Sequence, residues 1–470
     1  MAGFDIGWKD LPAPPSLPSL SDHGRHPRNG KRIQSISRMP VLRHGGHSLP
    51  AGSPDKLGIE PFQAALVASR ENGCRGGARP DMAIPRYRSA EAWPLLSAGF
   101  RPFFLAAGLW ACFSMAIWIL MLSGAIALPS AFNPVAWHFH ELLFGFVAAA
   151  IAGFLLTAIP NWTGRLPLQG WPLGELVFLW SIGRVAVAFS AWTGPAAAMA
   201  ADLSFLIVFG AVIAREIVAG RNWRNLPVLA AVAVLCAANA MIHAGLFGQL
   251  EWEQAGKRLA ISVVVLLISL IGGRIIPSFT TNWLRRQGAE DFPVPFDRYD
   301  QVVLAISILV LAVWVILGLN TMSGTALIIA AFIHALRLAR WRGQATLREP
   351  LLWILHIGYA WLPLGLALLG AAAWKPELAT TALHALTVGA MGTMILAVMT
   401  RASLGHSKRE LTAGRGTVIV YLLVLIAALA RLAAPFVGAD YVAAIDIAGG
   451  AWIAAFALFV VLYGPLYLRR

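Results

Sequence analysis

Charged residues are scarce in this chain: they make up 13% of its 470 residues, whereas 58% are apolar. Soluble domains carry roughly 25% charged residues, so the chain lacks the polar surface that a water-soluble globule requires. Cysteine is also rare, and Cys74, Cys112 and Cys236 form no closely spaced pair. This excludes a disulfide framework and a thiolate metal site. The phosphate-loop, nucleophile-elbow, HExxH and CxxCH motifs are all absent.

The first 90 residues differ in composition from the rest. They are rich in Pro, Gly, Ser and Arg, and they hold 13 Lys/Arg against 7 Asp/Glu. Such a segment cannot bury enough apolar surface to offset its ordering entropy, and it lacks the apolar core of a secretory signal. We predict a disordered basic extension over residues 1–90, or alternatively a true start at Met82, and a membrane domain over 91–470.

Apolar runs of about 20 residues dominate the remaining sequence, the length needed to cross about 30 Å of hydrocarbon. Backbone groups within lipid must be bonded internally, so these runs should be helices. The fold predicted is an all-α, polytopic membrane protein of twelve helices. The spans are 103–127, 134–159, 172–193, 196–218, 227–247, 257–279, 300–318, 322–341, 350–372, 378–400, 416–435 and 442–467.

The basic residues predict how the chain is oriented. If the first helix begins inside, the cytoplasmic joints hold seventeen Lys/Arg and the opposite joints hold only Lys257, Arg258 and Lys375. This positive-inside bias places both termini in the cytoplasm. The net charge of +14 is therefore a feature of membrane topology, and we expect lipid rather than nucleic acid as the partner of these residues.

Histidines carry the strongest functional signal, because titratable side chains within a span are costly and usually face a cavity or a partner. His138, His140, His243 and His384 all fall in the half of the membrane predicted to lie toward the outside. Neutral imidazole binds Cu, Fe and Zn, so four imidazoles at one depth predict a metal centre.

His138 and His140 are two residues apart, and a regular helix therefore separates their side chains by about 200°. Either they serve different centres or the entrance of this helix is irregular. A third reading makes them interfacial residues that are hydrogen-bonded at a helix start. Glu141 shares the face of His138. His334 precedes a basic joint by one turn, where a purely structural role is also open.

Arginines and methionines allow two readings each. Arg274 and Arg401 lie near helix ends, where a guanidinium either extends to the interface or pairs with carboxylates such as haem propionates. Arg184 lies in mid-helix and needs a partner, for which Asp202 and Glu175 are the candidates. The tenth span contains Met391, Met394 and Met399. These side chains either pack in the core or serve as thioether ligands for Cu(I).

Several long motifs resemble those of the NnrS family, polytopic haem–copper membrane proteins associated with bacterial responses to nitric oxide. The motifs are LLSAGFRPFFLAAGLWA (95–111), WHFHELLFGFVAAAIAGFLLTAIPNWTGR (137–165), GGRIIPSFTTNWL (272–284), LHIGYAWLPLGL (355–366) and HALTVGAMGTMILAVMTRASLGH (384–406). The resemblance covers residues 84–470. It implies an inner-membrane location, haem and copper as cofactors, and a role against nitrosative stress in denitrifying metabolism.

The resemblance also implies that the polar residues recurring in the family have counterparts in this chain. It does not show which of them bind haem and which bind copper. We take His138, His140, His243 and His384 as candidate metal ligands. The candidate haem contacts are Arg274, His356, Arg401 and His406, and Glu141 is the candidate proton carrier. Leu142 replaces a methionine of many relatives, which argues against a thioether ligand there.

Three functions remain open at this point. The leading hypothesis is a redox protein that binds nitric oxide and, as an enzyme, reduces it with electrons from a donor that the sequence does not identify. The second is a twelve-helix transporter of copper, haem or a nitrogen oxide. The third is a non-catalytic haem-based sensor or protectant.

Overall fold

Twelve helices that are long and apolar enough to cross a membrane form nearly all of the computed structural model, which describes residues 93–469. No strand occurs within this range, which confirms the all-α, polytopic prediction. The predicted extension over 1–90 and the alternative start at Met82 lie outside the described residues. The cytoplasmic placement of the termini stays a prediction.

The spans are labelled α1 to α12 in chain order. They are Phe100–Leu122, Pro134–Thr163, Trp171–Ala188, Pro195–Ala219, Trp223–Phe247, Leu250–Arg286, Arg298–Leu317, Thr321–Ala339, Pro350–Ala371, Pro376–His406, Arg415–Phe436 and Gly438–Leu468.

Helix ends differ from the hydropathy prediction where local chemistry decides them. Helix α1 ends at Leu122 rather than at 127, because Gly124 takes a left-handed conformation with φ of 72° and stops the helix. Helix α6 is 37 residues long and extends beyond 257–279 at both ends. Its first turn is acidic and its last turn is basic, which matches the helix dipole. Hydropathy marks only the part of a helix that lies in hydrocarbon.

Consecutive helices pack against one another, and α12 returns to α1. Helices α2, α6, α9 and α10 have 67–72% of their central residues buried, whereas the other eight have 28–39%. The four are therefore the inner helices. The outer helices expose large apolar side chains such as Phe113, Ile207, Leu309 and Phe332, the surface that lipid requires.

Two inner helices carry the same local irregularity. In α2, His140 precedes a π-helical segment, Glu141–Val147, and in α10 His384 precedes another, Ala385–Gly392. Each segment contains a glycine five residues after its histidine, and a tryptophan ring packs where that glycine has no side chain: Trp110 on Gly145 and Trp361 on Gly389. π-Helical turns are rare and occur frequently at functional sites.

Candidate metal centre in the membrane

Four helices bring six polar side chains together in the first half of the bundle. They are His140 and Glu141 on α2, Arg184 on α3, Asp202 on α4, and Asn239 and His243 on α5. All are buried, with at most 3% of each residue exposed. Asn239 and His243 share a helix face because they are four residues apart.

Asp202 is the centre of this cluster. Its Oδ2 lies 3.0 Å from Nε2 of His140 and 3.1 Å from Nε2 of His243. One ligand atom from each of the three residues lies within 4.8 Å of the others. An ion bonded at about 2.0–2.2 Å holds tetrahedral ligands roughly 3.3 Å apart. The atoms of the His140–Asp202–His243 triad are therefore close enough together to hold a metal ion.

The neighbours of His140 set the orientation of its ring. Nδ1 lies 3.1 Å from Oε1 of Glu141, and Nε2 lies 2.9 Å from Oδ1 of Asn239. When Nδ1–H donates to Glu141, the lone pair of Nε2 points at the oxygens of Asn239 and Asp202. This is the carboxylate–histidine arrangement that orients metal ligands. Three acceptor atoms then face one another, and a cation between them satisfies all three.

Arg184 neutralises part of the negative charge. Its Nη1 donates to Oε1 of Glu141 over 2.8 Å, and its Nη2 pairs with Oδ1 of Asp202. Of the two candidate partners, Asp202 is the one that pairs with Arg184, whereas Glu175 is exposed elsewhere. Glu141 is a further partner that was not among the candidates. Two carboxylates and one guanidinium leave one negative charge when both imidazoles are neutral. This excess attracts either a proton on His140 or a metal cation.

Three buried atoms of the cluster have no hydrogen-bond partner among the described residues. They are Oε2 of Glu141, Nε of Arg184 and Nδ1 of His243. Buried polar atoms without a partner are uncommon and call for an explanation such as catalysis or an unseen ion.

The other two outer histidines do not join the triad. His138 stacks on Trp118 with ring centroids 4.4 Å apart, as its separation of about 200° from His140 predicts. Nδ1 of His384 donates to the carbonyl of Thr380 over 2.8 Å. Of the four predicted metal ligands, the structure therefore brings together His140 and His243.

The predicted haem contacts lie toward the opposite ends of the inner helices. Nε2 of His356 is 3.1 Å from Oγ1 of Thr280, and the guanidinium of Arg401 lies 4.1 Å above the ring of the adjacent Phe279. His356 and Arg401 therefore meet neighbouring residues of α6.

Of the four side chains, His356 is buried and Arg401 is partly buried, whereas Arg274 and His406 are exposed. A Cβ on Gly343 would lie 2.9 Å from Nδ1 of His356, so backbone closes that side of the ring. Arg274 lies over Phe296 and His406 against Phe100. Each of these contacts is with another residue of the chain, and none of them joins two of the four side chains to one another.

A cavity of about 90 Å³ lies between α1, α2, α6 and α10. Its lining is apolar and includes Met394 and Met399 but no histidine. Small-molecule pockets usually measure about 300–1,000 Å³, so this cavity is small. Met391, Met394 and Met399 are at most 4% exposed, which favours the core-packing reading of these residues.

His334 belongs to a separate buried network. Its ring contacts the hydroxyls of Ser307 and Tyr359, each over 2.8 Å. Arg337 donates to Tyr359 and, over 2.6 Å, to Asp300. Both ring nitrogens of His334 are thus occupied, which favours its structural role.

Sequence reasoning missed Asp202 and Asn239 as members of the site. Asp202 was considered only as a partner of Arg184, although a carboxylate within an apolar span is itself a signal. Asn239 stands one turn before His243, a spacing that marks a shared helix face. Both features are visible in the sequence, but the sequence does not show that α2, α4 and α5 come together.

Comparison with known families gives one result that spans the membrane domain. The family model described as NnrS protein matches residues 94–470. No curated protein matches the chain.

Proposed function

The chain belongs to the NnrS family, and on that premise we propose that it holds a transition-metal ion between His140, Asp202 and His243 and binds nitric oxide there. The observation that carries this proposal is the convergence of two imidazole nitrogens on one carboxylate oxygen, all buried. The proposed location is the bacterial inner membrane, and the proposed role is protection against nitrosative stress.

The donor set limits the choice of ion. Two imidazoles and a carboxylate suit Cu, Zn and Fe(II), and a two-histidine, one-carboxylate set is typical of non-haem iron. Copper is the ion that the family resemblance implies, and ferrous iron is the alternative. When bound, either ion would supply a redox-active centre for nitric oxide.

The surrounding residues have separate tasks. Arg184 and Asn239 hold Asp202 in place, and Glu141 orients the ring of His140. Nitric oxide is small and apolar enough to arrive through lipid, so burial of the site does not prevent access. Reduction of two NO to N2O and water takes two electrons and two protons. Glu141 would carry the protons, and an external donor would supply the electrons.

Haem remains a proposal that rests on the family alone. Because the contacts of His356, Arg401, Arg274 and His406 do not join these side chains in one site, we assign no step to it. A Soret band in the purified protein would show that haem is present, and its loss in His356→Ala would identify an axial ligand.

The proposed metal centre is tested by the metal content of the purified protein. His243→Gln removes a ligand whose one side-chain hydrogen bond among the described residues is with Asp202, and we expect at least a tenfold loss of affinity for Cu and Fe. His334→Gln is the matched control, since it changes an equally buried histidine in another network. Equal metal content in wild type and His243→Gln would refute the site.

Binding of nitric oxide is tested on the metal-loaded protein by absorption and electron paramagnetic resonance spectroscopy. We expect a spectral change in wild type and His334→Gln and none in His243→Gln. Uptake of substrate by proteoliposomes without an electron donor would instead favour the transporter hypothesis. Consumption of nitric oxide only after reduction would favour the enzyme.

A further inference from the structure

The apolar cavity lies between the inner helices α2, α6 and α10 and the outer helix α1. On α2 its lining residues are spaced at i, i+3, i+4, i+7 and i+8, which places them along one stripe of the helix. They are Val147, Ala150, Ile151, Phe154 and Leu155. The cavity therefore follows α2 over about two turns and is not a gap at a single residue.

Helix α6 lines the cavity with a stripe of the same spacing, which begins at Val264 and ends at Gly272. Phe104 of α1 and Met394 and Met399 of α10 contribute to the remaining walls. All five of these residues are buried. Helices from both halves of the chain thus meet around this space.

The chemistry and the volume of the cavity limit what it can hold. Every lining residue that the structure describes is apolar, whereas a buried water needs about two to four polar partners. An apolar cavity of about 150 Å³ stays dry and binds benzene or xenon, and drug-sized ligands need about 300–1,000 Å³. At about 90 Å³, this cavity fits an uncharged, apolar molecule that is smaller than benzene.

We propose that the cavity binds a small apolar gas and holds nitric oxide close to the metal centre. The identity of the gas rests on the proposed function, whereas the site itself does not. Val147, which lines the cavity, ends the π-helical segment that begins at Glu141. Six residues of a helix span about 9 Å. Gas that enters from lipid would therefore collect a short distance from the His140–Asp202–His243 triad.

Xenon tests the site, because it is apolar and uncharged and its anomalous scattering locates it in a crystal. Crystals of the full chain are pressurised with xenon, and we expect an anomalous peak between α1, α2, α6 and α10. In Ala150→Leu the larger side chain occupies the cavity, so the peak should be lost. Ala233→Leu is the matched control, since it makes the same change at an exposed position of α5. It should keep the peak.

A second variant keeps the test valid if Ala150→Leu fails to fold. Val264→Ile adds one methyl group from the wall formed by α6 and should lower the xenon occupancy without abolishing it. The proposal would be overturned by the absence of a peak in wild type or by wild-type occupancy in both variants. An acyl chain or a porphyrin found in this space would overturn it as well.

Stopped-flow mixing of nitric oxide with the metal-loaded protein tests the identity of the gas. At equal metal content, Ala150→Leu should have a smaller association rate constant than Ala233→Leu, because the local store of gas is lost. Equal rate constants would overturn the storage of nitric oxide.

The two proposals fail in different ways. His243→Gln should keep the xenon peak, since the change lies outside the cavity. A peak in a chain that holds neither Cu nor Fe would refute the metal centre and leave the gas site standing. Nitric oxide bound at the metal of a chain without a xenon peak would overturn the gas site alone.

Discussion

Arg184 holds two carboxylates together, and its removal is the sharpest test of the buried cluster. Arg184→Gln leaves Glu141 and Asp202 inside the bundle without their shared cation. A charge pair about 4 Å apart at an effective dielectric constant of about 20 interacts by about 4 kcal/mol. Breaking a buried pair on one side typically costs about 3–5 kcal/mol, which is a large part of the total stability of a protein. We expect a loss of stability in this range.

The assay is thermal unfolding in detergent, followed by size-exclusion chromatography of the heated samples. Arg165→Gln is the control, because it breaks a pair with Glu216 that is 43% exposed on the arginine side and should cost less than about 1 kcal/mol. Adding Glu141→Gln and Asp202→Asn to Arg184→Gln removes both orphaned charges and should restore much of the loss. The reasoning fails if Arg184→Gln is as stable as Arg165→Gln, or if the triple variant is no better than Arg184→Gln.

Two further predictions concern packing and pH. Gly389→Ala should be destabilising by about 1–3 kcal/mol in the same unfolding assay, because the new Cβ would lie 2.7 Å from the ring of Trp361. The control is Gly450→Ala, whose Cβ meets open space and which should be neutral or stabilising by up to about 1 kcal/mol. Equal effects of the two substitutions would contradict the packing argument. The hydrogen bond from Arg340 lowers the pKa of Asp297 to about 2, below about 3.9 in an unfolded chain. This stabilisation is therefore complete above about pH 4 and is lost as the pH falls toward 2; because Asp297 is 41% exposed, we expect at most about 1 kcal/mol. Asp297→Asn should be less stable than wild type at neutral pH and lose that difference near pH 2, and a constant difference would refute the assignment.

Sequence features of short range predicted a large part of this protein. The number of helices followed from the lengths of the apolar runs, because each run must span the hydrocarbon by itself. The opposite directions of His138 and His140 followed from helical geometry alone. That Arg184 requires a carboxylate partner followed from its depth in a span, and Asp202 was one of two candidates.

Other features depend on how distant helices rotate and pack against one another. Depth placed four histidines at one level, but only the packing of α2, α4 and α5 brought His140 and His243 to Asp202. The π-helical turns of α2 and α10 are likewise invisible in hydropathy, and the tryptophan rings that pack against Gly145 and Gly389 come from other helices. Apolar length is a property of one segment, which the sequence alone determines. A metal site is a property of several helices at once, and only the tertiary structure decides which side chains meet.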